Sequence, residues 1–226
     1  WEKATIKPPD TMGKDVYIGL DLSKSSDLTS ISWLVPEDGY LYADSHSFVG
    51  TKYGLEEKIK RDGFDYISGA SRGECSITKL ESGMIDYDEV LRFILDLIER
   101  NQWNVRAICY DPWSFSYLLP EFEKRNLPMV EVRQGRLSLS IPTVRFRDDL
   151  FNGLIKHADN QLLAYAVNNA ILKYDSNNNP LIDKAHNATK IDPIAALMNA
   201  YTIAMNQSKE SEVAPNDFYS SDDFSF

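Results

Sequence analysis

Three aspartates stand where apolar segments end or begin, and a carboxylate in such a position could serve a reaction. Asp21 closes the apolar run VYIGL at 16–20, and Asp111 directly follows the largely apolar run VRAICY at 105–110. Asp192 precedes Pro193 and opens an apolar segment with helical spacing. A carboxylate buried without a partner costs several kcal/mol, so we expect a positive group beside Asp21.

Each aspartate also has a plain structural explanation. A strand-end residue such as Asp21 can turn outward, and an Asp before a Pro, as at Asp111 and Asp192, is a common helix start. Taken singly, each aspartate favours that structural explanation. The three together favour a functional site, because the carboxyl ends of neighbouring parallel strands meet at one edge of a sheet. A helix that begins at Asp192 and packs across that edge would bring the third carboxylate.

A cluster of three carboxylates cannot stay fully ionised unless cations lie between them. Oxygen ligands without Cys or His favour Mg²⁺ or Mn²⁺. Two such ions about 3.5–4 Å apart can activate a water and stabilise the departing 3′ oxygen of a phosphodiester. We expect Asp21 to bridge both ions, with Asp111 and Asp192 each holding one. Asp27 could complete the site or orient the water, although a turn-stabilising role is at least as well supported.

The order of the predicted elements explains how these residues would meet. Three strands are expected to form an antiparallel meander, at 16–22, 28–35 and 40–49. Helices and strands then alternate, which indicates parallel pairing. The helices are predicted at 51–61, 86–100, 113–126, 144–157 and 192–205, and the strands at 105–110 and 129–133. The fold class is α/β, with a mixed central sheet flanked by helices.

The remaining segments complete the predicted organisation. The sequence predicts a loop at 62–83 with a short strand near 75–78, and a hairpin around the turn-rich segment at 175–179. That hairpin could act as a flap near the site, although a plain structural hairpin is the commoner case. We predict a linker remnant at 1–14, one domain at 15–207 and an acidic, disordered tail at 208–226. The chain opens at Trp1 without a start methionine, so a longer parent polypeptide is expected.

Basic residues concentrate in one stretch of an acidic protein and suggest a surface that faces DNA. They are Arg133, Arg136, Arg145, Arg147 and Lys156. An ordinary solvated helix face with Arg–Asp pairs explains them equally well. His186 and Lys190 precede Asp192 and could touch phosphate, but a solvated loop is the safer interpretation.

The net charge argues against a protein that coats nucleic acid. The 226 residues carry a formal charge of −10, whereas non-specific DNA affinity comes mainly from Lys and Arg. Part of the excess lies in the tail, and removing 209–226 leaves about −6. An enzyme that collects metal-binding carboxylates and receives DNA from a partner domain need not be basic overall. Weak binding of DNA by the isolated chain is therefore expected.

The two cysteines, Cys75 and Cys109, lack the paired spacing of a zinc site. They favour a reducing, cytoplasmic setting. No apolar run approaches the length needed to span a bilayer, so we expect no membrane role.

Three short motifs give the sequence a resemblance to the large subunits of tailed-bacteriophage terminases, covering most of 15–206. The segment GLDLS at 19–23 is similar to the metal motif on the first strand of that family. The segment YDPW at 110–113 is similar to its second acidic motif, and KIDPIAAL at 190–197 to its third. The pronounced acidity departs from the expectation for a protein that binds DNA autonomously.

The resemblance implies the nuclease domain of a terminase, with the RNase H-like fold of the integrase superfamily. It implies an endonuclease that cuts concatemeric double-stranded DNA when genome packaging starts and again when it is complete. It also implies an upstream ATPase motor domain in the same polypeptide, a small terminase subunit and a portal protein as partners. The setting would be the bacterial host cytoplasm, transiently at the procapsid portal.

Two other classes of protein remain open. An actin-like or sugar-kinase ATP-binding domain shares an opening meander with an early Asp, but it needs a second lobe for which this length leaves little room. In a non-catalytic packaging module the aspartates would merely cap helices. Binding of ATP would favour the first alternative, and DNA cleavage would contradict the second.

Overall fold

A mixed β-sheet lies at the centre of the chain and carries helices on both faces. The computed structural model describes residues 1–23, 28–112, 118–177, 180–182 and 190–207. The strands in these residues are β1 (Asp15–Asp21), β2 (Leu28–Glu37), β3 (Tyr40–Val49), β4 (Cys75–Ile77), β5 (Asn104–Tyr110), β6 (Met129–Glu131), β7 (Ile155–His157), β8 (Leu172–Tyr174) and β9 (Pro180–Ile182). The helices are α1 (Leu55–Asp62), α2 (Tyr66–Ser71), α3 (Tyr87–Asn101), α4 (Leu119–Glu123), α5 (Arg136–Phe151), α6 (Gln161–Asn169) and α7 (Asp192–Gln207).

The sheet runs in the order β4-β3-β2-β1-β5-β6, and β7 also pairs with β3. β1, β2 and β3 form an antiparallel meander in which Gly19 lies opposite Ser32. β5 pairs in parallel with β1, and β6 pairs in parallel with β5. The predicted α/β class, with a meander followed by parallel strands, is therefore confirmed.

Successive residues of β1 belong to hydrophobic clusters on opposite faces of the sheet. Ile18 and Leu20 lie in a cluster with Ile94 of α3. Tyr17 lies in a second cluster with Leu197 of α7. Because helices cover both faces, the interior of β1 is buried throughout and reads in the sequence as a continuous apolar run.

The last helix, α7, packs unusually close to the middle of the sheet. A Cβ atom added to Gly19 would lie 1.9 Å from the carbonyl oxygen of Ala196. The Ser32 hydroxyl donates a hydrogen bond of 2.8 Å to the carbonyl of Pro193. The buried Asn199 amide donates one of 2.9 Å to the carbonyl of Leu20. A glycine and a serine on the facing strands therefore let the helix backbone reach the sheet.

The outer edge of β3 is shared by two short strands. β7 pairs with Leu41–Ala43 and β4 pairs with Ser47–Val49, both in parallel. Between them, the Asn160 amide donates to a carboxylate oxygen of Asp44 at 2.9 Å and to the carbonyl of Ser45 at 2.8 Å. The same side chain accepts from the backbone N–H of Leu163 and so caps α6. One asparagine thus joins the start of a helix to the edge of the sheet.

Several element predictions were wrong in detail. The helix predicted at 144–157 begins earlier, as α5, and ends at Phe151, and 155–157 form β7 instead. Gly153, with a φ of +74°, follows the helix end, and buried Ile155 pairs with β3. The region predicted as a loop at 62–83 contains α2, capped by Asp65, and α6 was not predicted. Of the helix predicted at 113–126, residues 113–117 lie outside the described residues, and the rest contains the short α4.

Buried His46 makes the stability of the fold depend on pH. Its ring stacks on Phe93 with centroids 4.2 Å apart, and its nitrogens lie 2.9 Å from the carbonyl of Gly73 and 3.0 Å from the Ser76 hydroxyl. Burial lowers the pKa of His46 from 6.5 to about 4. The folded state thus favours the neutral ring, so its contribution to stability is complete above pH 6.5 and is lost as the pH falls towards 4.

We expect acidification across that window to reduce the free energy of unfolding by about 3 kcal/mol through His46 alone. Urea denaturation of the wild type and of His46→Gln at several pH values between 7 and 4 measures this contribution. The variant should lack this part of the pH dependence. Identical pH profiles for the two proteins would contradict the assignment.

Candidate functional site

Asp21 and Asp111 lie side by side at the carboxyl edge of the sheet. β1 and β5 are parallel and pair Gly19 with Cys109 and Leu20 with Tyr110. Asp21 is the last residue of β1, and Asp111 is the first residue after β5. Adjacent strands are about 4.8 Å apart, so the two backbones are near neighbours. Gly19 and Cys109 face α7, and by alternation Asp21 belongs to that same face.

Asp192 approaches the same face because it is the first residue of α7. The hydrogen bond from Ser32 to Pro193 fixes the start of this helix over β2. Asp21 pairs with Ser30, which lies two residues from Ser32 on the same strand. One strand spacing across and two residues along correspond to about 8 Å between the Cα positions of Ser32 and Asp21. Packing thus places the start of α7 at the same edge of the sheet as Asp21, although the three aspartates, all among the described residues, do not form a group close enough to hold an ion in this structure.

The charges around the start of α7 link it to α1 and α2. Burial raises the pKa of the Tyr66 hydroxyl, and the negative charges of Asp62 and Asp192 raise it further. Tyr66 donates to a carboxylate oxygen of Asp62 at 3.0 Å. Burial would raise the pKa of Asp62, but the hydrogen bond from Arg61 and the charges of Lys58 and Lys190 lower it. The buried carboxylate of Asp62 is therefore ionised, and it lies in the charged surroundings of the start of α7.

The donors at this edge are carboxylate oxygens, which is the ligand chemistry that Mg²⁺ and Mn²⁺ prefer. Asp21 and Asp111 are each partly exposed, so an ion could reach both from solvent. Across the residues that the structure describes, no three Asp, Glu, His or Cys side chains are grouped closely enough to hold an ion. The register of β1 and β5 makes Asp21 and Asp111 neighbours, and Asp27 lies outside the described residues.

The predicted basic surface divides into two parts. The amide of Gln134 donates to the side-chain oxygen of Asn199 at 3.0 Å, and this places the start of α5 at the candidate site. Exposed Arg133 follows β6 at this edge, and Arg136 is the first residue of α5. The side chain of Arg136 and all of His186 lie outside the described residues. The charge of Lys190 acts on Asp62, near the start of α7.

The other three basic residues lie away from this edge. Arg145 is 3.7 Å from Asp149, and Arg147 is 2.9 Å from Asp148. Lys156 lies on β7 opposite Tyr42, near the beginning of β3, whereas the candidate site lies at the edge where β1 and β3 end. A helix rises about 1.5 Å per residue, so Arg147 is about 16 Å along α5 from Arg136. The structure does not bring the five predicted residues together.

Sequence analysis did not identify two residues that position the site. Asn199 joins Leu20 at the end of β1 to Gln134 before α5, and Gly19 leaves room for the backbone of α7 to pack against β1. Both residues have a sequence feature that could have indicated this role. Asn199 is a polar residue within an apolar helix, two turns after Asp192, and Gly19 is an isolated glycine within an apolar strand.

The predicted hairpin is present as β8 and β9, which pair in antiparallel fashion. Leu181 and Ile182 of β9 pack against the hydrophobic cluster on the α7 face. Such packing is typical of a hairpin with a structural role. Its role as a flap near the site stays a prediction. No helix within the described residues is long and apolar enough to cross a membrane. Both cysteines, Cys75 and Cys109, are buried free thiols.

Comparison with known proteins gives a family match over most of the chain. A family model described as the endonuclease domain of the terminase large subunit matches residues 1–208. The terminase large subunit of Enterobacteria phage HK97 is 26% identical over 199 residues, covering 87% of this chain and 38% of that protein. The chain therefore spans well under half the length of this relative.

Solved structures show the same fold. The crystal structure of the HK97 large terminase superposes with a TM-score of 0.79 at 24% identity, over 90% of this chain and 42% of that one. The large terminase nuclease of the thermophilic phage G20c, solved with bound magnesium, gives a TM-score of 0.52 at 12% identity, over 84% of this chain and 81% of that one. At these identities the likeness shows the fold alone, and it confirms the predicted RNase H-like arrangement.

Proposed function

Because the chain belongs to the family of terminase large subunit endonuclease domains, we propose that it is a metal-dependent endonuclease that cuts double-stranded DNA during phage genome packaging. It would cut concatemeric DNA when packaging starts and again when it is complete. The observation that carries this proposal is the parallel register of β1 and β5, which makes Asp21 and Asp111 neighbours at one edge. Membership of a nuclease family favours this function over the ATP-binding and non-catalytic alternatives.

In this proposal three aspartates would hold the cofactor. Asp21 would be shared between two ions, Asp111 and Asp192 would each hold one, and Asp27 is a further candidate ligand. When bound, Mg²⁺ or Mn²⁺ would supply an activated water and neutralise charge on the phosphodiester. The bound magnesium in the G20c nuclease supports the choice of a divalent ion.

The other residues of the edge would position these ligands and the DNA. Asn199 and Gln134 tie the end of β1 to α7 and to the start of α5, which would hold the strand of Asp21 and the helix of Asp192 in fixed relative positions. Arg133, Arg136 and Lys190 lie on or within two residues of elements that begin or end at this edge, and we assign them to backbone phosphates. Arg145, Arg147 and Lys156 contribute less, because they lie towards the far end of the sheet.

The charge of −10 suggests that the DNA is delivered by a partner. We propose that an ATPase motor domain of the same polypeptide supplies it, as the greater length of the HK97 relative allows. The small terminase subunit and the portal protein would be further partners. The site of action would be the host cytoplasm, at the procapsid portal.

Digestion of supercoiled plasmid by the purified chain tests the proposed activity. With Mg²⁺ or Mn²⁺ we expect nicked and then linear DNA with little sequence preference, because the two ions and not the base edges define the reacting atoms. Excess chelator should stop the reaction, and adding either ion back should restore it. Cleavage that continues unchanged in chelator would contradict a metal-dependent site, and no cleavage under any condition would count against the nuclease.

A further inference from the structure

A pocket of about 260 Å³ opens beside α1. Its lining includes the cations Lys52, Lys58 and Arg61, the ring of Tyr53 and one carboxylate, Glu57. Positive groups therefore outnumber negative ones in this lining, although the whole chain carries a charge of −10. A pocket of this composition is suited to an anionic ligand.

The pocket lies at the same edge of the sheet as Asp21. β1 and β3 are both antiparallel to β2 and therefore run in the same direction. β3 ends at Val49, and the pocket begins with the next residue, Gly50. The charge of Lys190, two residues before α7, acts on pocket residue Lys58. A polymer that reaches the aspartates at this edge could therefore also contact the pocket.

The loop that forms the pocket is held in place by the rest of the domain. The N–H of Thr51 donates to the carbonyl of Gly83 at 2.7 Å, and the N–H of Gly54 donates to the carbonyl of Thr51 at 2.8 Å. Gly83 has a φ of +68°, and a Cβ there would lie 2.5 Å from the backbone nitrogen of Lys52. This close packing fixes the loop before any ligand arrives, which reduces the entropy lost on binding.

The cations of the pocket have different roles. Lys58 is buried and lies 3.2 Å from the Asp62 carboxylate, so its charge is paired within the protein and its role in the pocket is structural. The side chain of Arg61 is 46% exposed and contacts Asp62 through Nε at 2.8 Å. Lys52 is exposed, with its ammonium 5.5 Å from the centre of the Tyr53 ring, and Tyr53 itself is 66% exposed. Lys52, Arg61 and Tyr53 are therefore all exposed to solvent, and the guanidinium of Arg61 is held in place by its contact with Asp62.

We propose that this pocket binds a backbone phosphate of the DNA through Lys52 and Arg61, while Tyr53 packs against the adjoining sugar or base. The inference rests on the proposed nuclease function and adds a second point of contact on the substrate. Such contacts set the position of the duplex and carry no sequence information. Lys52 and Arg61 are thus positioning residues, and their loss should weaken DNA binding more than it slows the cleavage of bound DNA.

Fluorescence anisotropy with a short labelled duplex, in Ca²⁺ and over a range of salt concentrations, tests this pocket. We compare the full chain with Lys52→Gln, Arg61→Gln and the double variant. The matched control is Lys60→Gln, which removes an exposed lysine from the same helix outside the pocket. We expect the double variant to bind about five- to tenfold more weakly, with a salt slope smaller by about 1 for each lost phosphate contact. The control should match the wild type, and Lys52→Gln alone should show a smaller effect in the same direction.

Nicking assays, and competition of inorganic phosphate or ATP with the labelled duplex, complete the test. In Mg²⁺ the pocket variants should raise KM by the same factor as the loss of affinity, with kcat close to that of the wild type. Unchanged affinity and salt slope in the double variant would overturn the pocket, even where the wild type cuts DNA and the proposed function stands. Loss of inorganic phosphate or ATP binding without loss of duplex binding would assign the pocket to a small anion and also overturn the inference. If the wild type neither binds nor cuts DNA, the proposed function fails with it.

Discussion

Replacement of Asp21 by Asn is expected to slow DNA cleavage by about a thousandfold or more, because several kcal/mol of transition-state stabilisation depend on its charge. Asn keeps the shape of the side chain but removes the anionic oxygen that would contact both ions. Asp111→Asn should have a loss of similar size, since Asp111 lies beside Asp21 at the end of β5. The rate of plasmid nicking under single-turnover conditions measures both.

The stability of these variants separates a catalytic role from a structural one. Asp21 and Asp111 are both partly exposed and Asn keeps the shape of the side chain, so without metal either Asn variant should unfold within a few degrees of the wild type. Adding Mg²⁺ should stabilise the wild type more than the variants, because it binds only the folded site. Asp38→Asn provides a matched control, since Asp38 is an exposed residue in the turn between β2 and β3. Activity above a tenth of the wild-type rate in Asp21→Asn would exclude it as a metal ligand.

Replacement of Gly19 by Ala is expected to reduce the free energy of unfolding by about 3–5 kcal/mol. The new Cβ would lie 1.9 Å from the carbonyl oxygen of Ala196 and 2.8 Å from the backbone nitrogen of Ala200. Both are backbone atoms, so no side chain can rotate away and the whole of α7 must shift. The shift would also move Asn199 from Leu20 and Asp192 from the site, so nicking should fall with stability.

Urea or thermal denaturation measures the effect, and a drop of about 10 °C in Tm is expected for a chain of this size. Gly39→Ala is the control, because Gly39 has no atom within 4 Å of a new Cβ. Its φ of +79° means that Ala there carries only a backbone penalty of about 1–2 kcal/mol. If Gly19→Ala is no more destabilising than this control, the close approach of α7 to β1 is wrong.

The long buried strands and the periodic helices could be predicted from the sequence. β1 reads as an apolar run closed by Asp because both of its faces are covered, and β5 reads in the same way over its buried second half. The helix at α3 was recognisable from its apolar face and from Asp86, whose side chain accepts from two N–H groups at the helix start. The neighbouring positions of Asp21 and Asp111 followed from the parallel pairing of two such strands.

What could not be predicted depends on contacts between distant segments. β7 has only three residues and exists because Ile155 pairs with Leu41 of β3, and the local sequence carries no sign of this. α5 includes Pro142 within the helix, where a proline normally interrupts the hydrogen bonding, so the local sequence does not indicate the first part of this helix. The α6 helix did have a signal, since Asn160 precedes Leu163 and Ala166 as a helix cap precedes a buried face. The position of Asp192 depended on the fit between Gly19 and α7, which spacing alone does not provide.

The shared edge of β3 has a consequence for self-association. An open sheet invites strands from other molecules to add at its borders, and this leads to domain swapping and amyloid-like aggregation. On one border β4 and β7 occupy both ends of β3, and Asn160 occupies the carbonyl of Ser45 between them. On the other border β6 has only three residues, Met129–Glu131, which give an invading strand little length to pair with. Among the described residues, these borders of the central sheet therefore offer an incoming strand only short segments for pairing, which disfavours growth of the sheet by strand addition.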